Sequence, residues 1–194
     1  SERWALGAWL AAALAMSWPL TPGPTALALL LMLAAVFVSG RAVTAGVLIG
    51  LAAMFRPEIG AAALVSVLVD GRAPRLRVTA AAAVTFAGCL APFAIAAPHE
   101  LFDQVVGFLG IQDLQRLPLF PDPHTSDTNK VVERLQPAIT FGLALVAGSL
   151  ALLRGGWKWL PALIVGAAYL LARADEFHLV PLAVIAALCA GVAV

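Results

Sequence analysis

Long runs of apolar residues constrain the fold of this chain more than any motif does. A helix that spans a bilayer needs roughly 20 apolar residues, within a range of about 17–25. Such runs predict membrane helices at Trp4–Leu20, Thr25–Ser39, Val43–Phe55, Ile59–Val69, Val78–Ala97, Pro137–Leu153, Trp159–Ala172 and His178–Val194. The predicted fold is therefore an all-α polytopic transmembrane helix bundle with about eight membrane segments.

The composition agrees with a membrane protein and excludes one class of partner. Hydrophobic residues make up 62% of the 194 residues and charged residues 12%, against about 45–50% and about 25% in soluble domains. The formal charge of +1 offers no basic stripe that could neutralise nucleic-acid phosphates. We therefore expect the lipid bilayer, and no nucleic acid, among the partners. Because the chain begins at Ser1 and ends inside an apolar run, we also expect a piece of a longer protein.

A proline interrupts the apolar pattern between two short runs. Val43–Phe55 and Ile59–Val69 are each too short to cross a bilayer alone, and Arg56-Pro57-Glu58 separates them. Proline removes a backbone donor and clashes with the preceding helical turn. This region is therefore either one long kinked helix or a helical hairpin broken at Arg56-Pro57-Glu58.

The distribution of basic residues favours the hairpin. If the hairpin tip is extracytoplasmic and Ser1 is cytoplasmic, the cytoplasmic turns contain only the acids Glu2 and Asp70. The same turns contain the basic residues Arg3, Arg41, Arg72, Arg75, Arg77, Arg154 and Lys158. This asymmetry is what the positive-inside rule expects. The predicted organisation is membrane helices at 1–97 with a hairpin at 43–69, an extracytoplasmic loop with an interfacial helix at 98–136, and membrane helices at 137–194.

Glycines recur in and just after the first half of this hairpin. Gly46, Gly50 and Gly60 follow the small-residue spacing that lets helices approach closely in membranes. We expect them to permit helix packing and not to bind a ligand.

Two charged clusters lie within or beside the apolar runs. An ionisable side chain costs roughly 2.5–3.5 kcal/mol at the centre of a membrane helix, so it persists where a partner or a cavity offsets that cost. One cluster is Arg56-Pro57-Glu58, and the other is Arg173-Ala174-Asp175-Glu176-Phe177-His178. The hairpin topology places both on the extracytoplasmic side. Because the planar fork of arginine suits phosphate, their convergence predicts a site for a polar, anionic substrate.

Simpler roles also fit these residues. Arg56 and Glu58 could form a structural ion pair, and Arg173 and Glu176 could be interfacial charges at a helix end. Asp175 and His178 are three residues apart and share a face if they are helical. They could form an Asp–His pair or supply two ligands to a divalent metal. Two ligands are too few for a metal site on their own, and no other cofactor is indicated.

Three segments resemble GT-C polytopic membrane glycosyltransferases. The stretch GVLIGLAAMFRPEIG at Gly46–Gly60 resembles their glycine-spaced short helix, which ends in a basic residue with an acid and a glycine soon after. Arg116-Leu117-Pro118-Leu119-Phe120-Pro121 looks like the extracytoplasmic loop that follows. The stretch RADEFHLVP at Arg173–Pro181 is similar to their late Arg-x-Asp-x-x-His-x-x-Pro element. The resemblance covers about Arg41 to Pro181.

The resemblance implies a transferase of the bacterial cytoplasmic membrane with its site on the extracytoplasmic side. It would move a sugar from a polyprenyl-phosphate donor to a glycan, lipid or protein acceptor. By analogy, Arg56 and Arg173 would bind the donor phosphate. The residues that would shape the sugar or acceptor pocket are Glu58, Asp175, His178 and Arg116.

One departure from the family concerns the catalytic carboxylate. In the family it lies in the first extracytoplasmic loop, whereas Thr21-Pro22-Gly23-Pro24 contains no acid. We therefore expect this chain to be the carboxy-terminal part of the enzyme, with the general base upstream. The alternatives are a membrane transporter subunit, which can also contain broken helices, and a non-catalytic membrane scaffold.

Overall fold

A computed structural model describes residues 24–103, 128–172 and 176–193, and these residues form an all-α fold without strands. The predicted all-α class is confirmed for this part of the chain. The predicted helix at Trp4–Leu20 lies outside it. The helices are α1 (Pro24–Phe37), α2 (Ala42–Phe55), α3 (Pro57–Asp70), α4 (Arg75–Ala96), α5 (Pro98–Phe102), α6 (Thr128–Leu153), α7 (Leu160–Ala172) and α8 (Glu176–Ala193).

The chain divides into two compact units. One, here called the hairpin unit, contains the described residues 27–103. The other, here called the C-terminal unit, contains residues 128–172 and 176–193 together with the first residues of α1.

The helices α2 and α3 form a hairpin around Arg56. At the tip, a Cβ atom built on Gly60 would lie 2.6 Å from the Cα atom of Ala53, so the two helices touch through their backbones. At the opposite end, the Ser39 hydroxyl donates a hydrogen bond to Oδ2 of Asp70 across 31 residues of sequence. This contact joins the start of α2 to the end of α3. The chain therefore reverses at Arg56 and does not continue as one kinked helix.

The helix α4 packs along α2 and runs parallel to it. A Cβ on Gly46 would lie 2.6 Å from the carbonyl oxygen of Val78, and one on Gly50 would lie 2.7 Å from that of Ala82. The contact positions advance together along both helices, which fixes the parallel direction. The predicted packing role of the glycines at positions 46, 50 and 60 is confirmed.

Length combined with apolar character separates α4 from the other described helices. Among the described residues, α4 alone is both long and apolar enough to cross a membrane, with 22 residues. At 1.5 Å per residue it extends about 33 Å, whereas the 14 residues of α2 or α3 extend about 21 Å. The hydrocarbon core of a bilayer is about 30 Å thick. The sequence predicted about eight membrane segments, but only one described helix meets the criterion for a full span.

In the C-terminal unit, α8 packs against both α6 and α7. Leu182 and Ala186 of α8 join Ala144 of α6 and Leu170 of α7 in one buried apolar cluster. Further along α8, Ile185, Leu188 and Cys189 are each no more than 2% exposed. This helix is therefore the buried element of its unit.

The start of α6 differs from the prediction. The sequence placed a helix at Pro137–Leu153 and a loop before it, but the helix begins at Thr128 and includes Pro137. A helix requires that its backbone hydrogen bonds are satisfied, but its side chains can be polar. It can therefore continue through a polar segment, which a prediction based on apolar runs leaves out.

Candidate functional site

The tip of the α2–α3 hairpin places one arginine between two helix ends. Arg56 has an extended backbone, with a φ of −151° and a ψ of 102°. Its N–H donates to the carbonyl oxygen of Ala52 at 2.9 Å, which ends α2, and its carbonyl oxygen accepts from the N–H of Gly60 at 3.0 Å, which begins α3. Pro57 occupies the first turn of α3, where a missing N–H costs nothing. The sequence Arg-Pro-Glu therefore ends one helix and starts the next without an intervening loop.

Arg56 faces Glu58 across the tip. Nη1 of Arg56 lies 3.9 Å from Oε1 of Glu58, and the two side chains are 38% and 43% exposed. Glu58 also lies in the first turn of α3, where a negative charge is favourable. A long, half-exposed ion pair contributes at most about 1 kcal/mol. The pair is thus too weak to explain the hairpin, and an anionic ligand could replace Glu58 as the partner of the guanidinium.

An apolar groove of about 430 Å³ adjoins this charged tip. Pro57, which separates the two charged residues in sequence, is one of its lining residues. The other lining residues come from α2, α4 and α5 and are Ala53, Met54, Phe86, Leu90, Ala94, Pro98, Leu101 and Phe102. Every lining side chain is apolar, so the groove suits a hydrocarbon chain and not a sugar.

The register of the hairpin unit gives the depth of the tip along α4. Gly50 lies beside Ala82 and Thr85, so Arg56, which is six residues further along the parallel α2, lies at about the level of Leu90. The helix α4 ends at Ala96. At 1.5 Å per residue, the tip therefore lies roughly 10 Å short of the end of α4. A charged pair at this depth would be near one surface of any bilayer that α4 crosses.

The groove was not predicted from the sequence, although one signal for it exists. Phe86, Leu90 and Ala94 follow at four-residue steps and therefore share one face of α4. Leu101 continues the apolar character after the break at Ala97, where the backbone φ is −148°. The spacing of these residues predicts an apolar face of α4. Whether that face borders a groove depends on the distance between α4 and the hairpin tip, which the spacing does not give.

Most of the other predicted site residues lie outside the described part of the chain. This applies to Arg116, Arg173 and Asp175 and to the side chain of His178, whose backbone belongs to α8. The predicted meeting of the hairpin tip with the cluster that starts at Arg173 therefore stays a prediction. Among the described residues, no group of three or more His, Cys, Asp or Glu side chains could hold a metal ion.

Comparison with known proteins adds no relative to this geometry. A scan against protein-family models, a search of curated proteins and a search of solved structures each found no match.

Proposed function

We propose that this chain is part of a polytopic glycosyltransferase of the bacterial cytoplasmic membrane. It would transfer a sugar from a polyprenyl-phosphate donor to a glycan, lipid or protein acceptor on the extracytoplasmic side. The observation that carries the proposal is the apolar groove of about 430 Å³ beside Arg56 at the hairpin tip. A lipid phosphate needs both features, because its tail requires an apolar surface and its head requires a cation.

The surface of α4 supports the membrane placement. Only 11% of its apolar window is buried inside the chain, and its exposed side chains include Leu76 at 82%, Val84 at 72% and Ile95 at 83%. An apolar helix with this much exposed surface is stabilised where another apolar medium covers it. A bilayer supplies that medium over the whole length of α4.

The proposed reaction is an attack by an acceptor hydroxyl on the anomeric carbon of the donor sugar. The new bond forms from the acceptor oxygen to that carbon, the bond from the carbon to the phosphate oxygen breaks, and polyprenyl phosphate leaves. Arg56 would stabilise the negative charge that grows on the departing phosphate. By the family resemblance, Arg173 would assist it, while Glu58, Asp175, His178 and Arg116 would contact the sugar or the acceptor. The general base that takes the hydroxyl proton would lie upstream of this chain.

Binding of a polyprenyl phosphate to the purified chain in detergent tests the proposal directly. The variant Arg56→Ala removes a charge-assisted hydrogen bond worth about 1.5–3 kcal/mol, so its Kd should rise roughly 10- to 150-fold. Arg154→Ala removes an exposed arginine of the C-terminal unit, away from the hairpin tip in sequence, and should bind as the unsubstituted chain does. Native mass spectrometry counts the bound lipid. Equal affinity of Arg56→Ala and the unsubstituted chain would contradict the proposal.

A second pair of variants tests the groove separately from the charge. Ala94→Trp places a large ring in the groove and should weaken binding at least as much as Arg56→Ala. Ile95→Trp adds the same ring at the neighbouring position, which is 83% exposed and does not line the groove, so it serves as the matched control. If both tryptophan variants bind equally, the tail of the lipid lies elsewhere.

The broken hairpin also fits an alternative function, that of a transporter subunit, because transporters bind ions and substrates at interrupted helices. Transfer assays separate the two. In the longer protein that would contain this chain, Arg56→Ala should lose sugar transfer from the lipid phosphate, whereas a transporter or a scaffold would show no such activity to lose.

A further inference from the structure

The end of the hairpin unit opposite Arg56 is rich in exposed arginines. Arg41 precedes α2, and Arg72, Arg75 and Arg77 lie between the end of α3 and the first turn of α4. All four are exposed. The hydrogen bond from Ser39 to Asp70 holds the start of α2 at the end of α3, and Gly46 packs on Val78. The four arginines, here called the basic end, therefore belong to one surface.

The acid at the basic end does not present its charge to the surface. The side chain of Asp70 is only 10% exposed, and it accepts from the Ser39 hydroxyl and pairs with Nε of Arg72 at 3.2 Å. Among the described residues, no ion pair joins Arg41, Arg75 or Arg77 to an acid. The basic end thus faces outward with a net positive charge.

An apolar side chain stands among these charges. Leu76 is 82% exposed between Arg75 and Arg77. The exposed apolar surface of α4 continues directly from this point for the length of a membrane span. A row of cations that leads into an apolar helix is the arrangement found where a protein enters the headgroup layer of a bilayer.

We propose that the basic end binds the headgroups of anionic phospholipids at one surface of the bilayer. Leu76 reaches toward the acyl chains while the arginines contact headgroup phosphates. This inference rests on the membrane placement in the proposed function but not on sugar transfer. It also assigns the two ends of the hairpin to different lipids, since the tip would bind the polyprenyl phosphate and the basic end the bulk anionic lipid.

Native mass spectrometry of the full chain in detergent, titrated with phosphatidylglycerol or phosphatidylcholine, tests the proposal. The unsubstituted chain should bind phosphatidylglycerol more tightly. A basic residue near an anionic surface contributes roughly a fivefold increase in affinity, so the triple variant Arg41→Gln, Arg75→Gln, Arg77→Gln should lose about a hundredfold. The loss should be smaller at 1 M salt, where the Debye length is about 3 Å. The single variant Arg77→Gln should lose about fivefold.

Two controls separate charge from damage to the fold. The triple arginine-to-lysine variant keeps the charges and should retain the preference for phosphatidylglycerol, and circular dichroism should show unchanged helix content for all variants. If the glutamine triple binds phosphatidylglycerol as the unsubstituted chain does, or the unsubstituted chain binds both lipids equally, the proposal is overturned. Competition by a DNA duplex as strong as that by phosphatidylglycerol would also overturn it, because the basic end would then bind any polyanion.

These outcomes are distinct from those of the proposed function. A chain that fails to insert into phosphatidylcholine vesicles would refute the membrane placement itself. A chain that inserts but shows no preference for phosphatidylglycerol would refute only the lipid site at the basic end.

Discussion

Both units are built from apolar helices, but among the described residues backbone contact at glycines is more frequent in the hairpin unit. In the hairpin unit, glycines let helices touch backbone to backbone, as Gly50 does against the carbonyl oxygen of Ala82. The C-terminal unit has contacts of both kinds. A Cβ on Gly166 of α7 would lie 3.0 Å from the Cα atom of Leu182 in α8, whereas one on Gly148 of α6 would meet only the side chain of Leu163. Backbone contact fixes the position of a helix, whereas contact with the end of a side chain tolerates a change of rotamer.

The two most apolar long helices, α4 and α8, differ in how much of their surface is buried within the chain. On α4 only Val78 and Ala82 are buried, and most of the other side chains are exposed, so the helix contacts protein along one narrow stripe. On α8 most side chains from Pro181 onward are buried or half-buried within the chain. An apolar run in sequence therefore predicts a helix, but it does not tell whether protein or lipid covers that helix. The three variants discussed below test how tightly the helices of each unit are packed.

The largest effect is expected in the buried cluster of the C-terminal unit. Leu182 is 1% exposed, and Leu182→Ala removes buried methyl groups and leaves a cavity, which costs about 2–5 kcal/mol. Leu143→Ala, on the 63% exposed surface of α6, is the matched control and should change the free energy of unfolding by less than about 0.5 kcal/mol. Titration with a denaturing detergent measures the free energy of unfolding of both variants. Equal losses would mean that α8 is not the centre of its unit.

The helix positions in the hairpin unit were largely predictable from sequence. The predicted run Val43–Phe55 corresponds to α2, and Ile59–Val69 lies within α3. Helices form through local hydrogen bonds, so an apolar run interrupted by a proline locates them well. The prediction started the next helix at Val78, whereas α4 begins at Arg75. The apolar criterion excludes such charged ends although their backbone is helical.

The candidate site was predictable only in part. The break at Arg56 and the glycine contacts follow from local chemistry, because proline and glycine act through their own backbones. The groove depends on how far α4 extends beyond the hairpin tip, which is a property of three helices together. The basic residues Arg72, Arg75 and Arg77 were predicted to lie in cytoplasmic turns. Nothing in the sequence indicated that Asp70 would accept a hydrogen bond from Ser39, so that its carboxylate is largely buried beside these arginines.

A smaller effect is expected where backbones touch in the hairpin unit. A Cβ added by Gly50→Ala would lie 2.7 Å from the carbonyl oxygen of Ala82 and 2.7 Å from Cβ of Thr85. Because part of this contact is backbone, α4 must move as a whole, and overpacking of this kind costs about 1–3 kcal/mol. The variant should also weaken binding of a polyprenyl phosphate, since α4 carries Phe86 and Leu90 of the groove.

The matched control for this variant lies on α4 itself. A Cβ on Gly88 meets nothing within 4 Å, and alanine is the better helix former by up to about 1 kcal/mol, so Gly88→Ala should be neutral or stabilising. Loss of stability by both variants to the same degree would assign the effect to helix α4 itself and not to its contact with α2.

The smallest effect is expected at Gly148, where the neighbour is the tip of a flexible side chain. Gly148→Ala would place a Cβ 2.9 Å from Cδ1 of Leu163, but no backbone atom of α7 is among the nearest atoms. Leu163 can change rotamer, and the gain in helix propensity from glycine to alanine offsets much of that cost. The net change should be below about 1 kcal/mol and close to that of Gly142→Ala, where a Cβ meets nothing within 4 Å. If instead Gly148→Ala destabilises the chain as much as Gly50→Ala, side-chain packing is as rigid as backbone contact here, and the distinction between the two kinds of contact disappears.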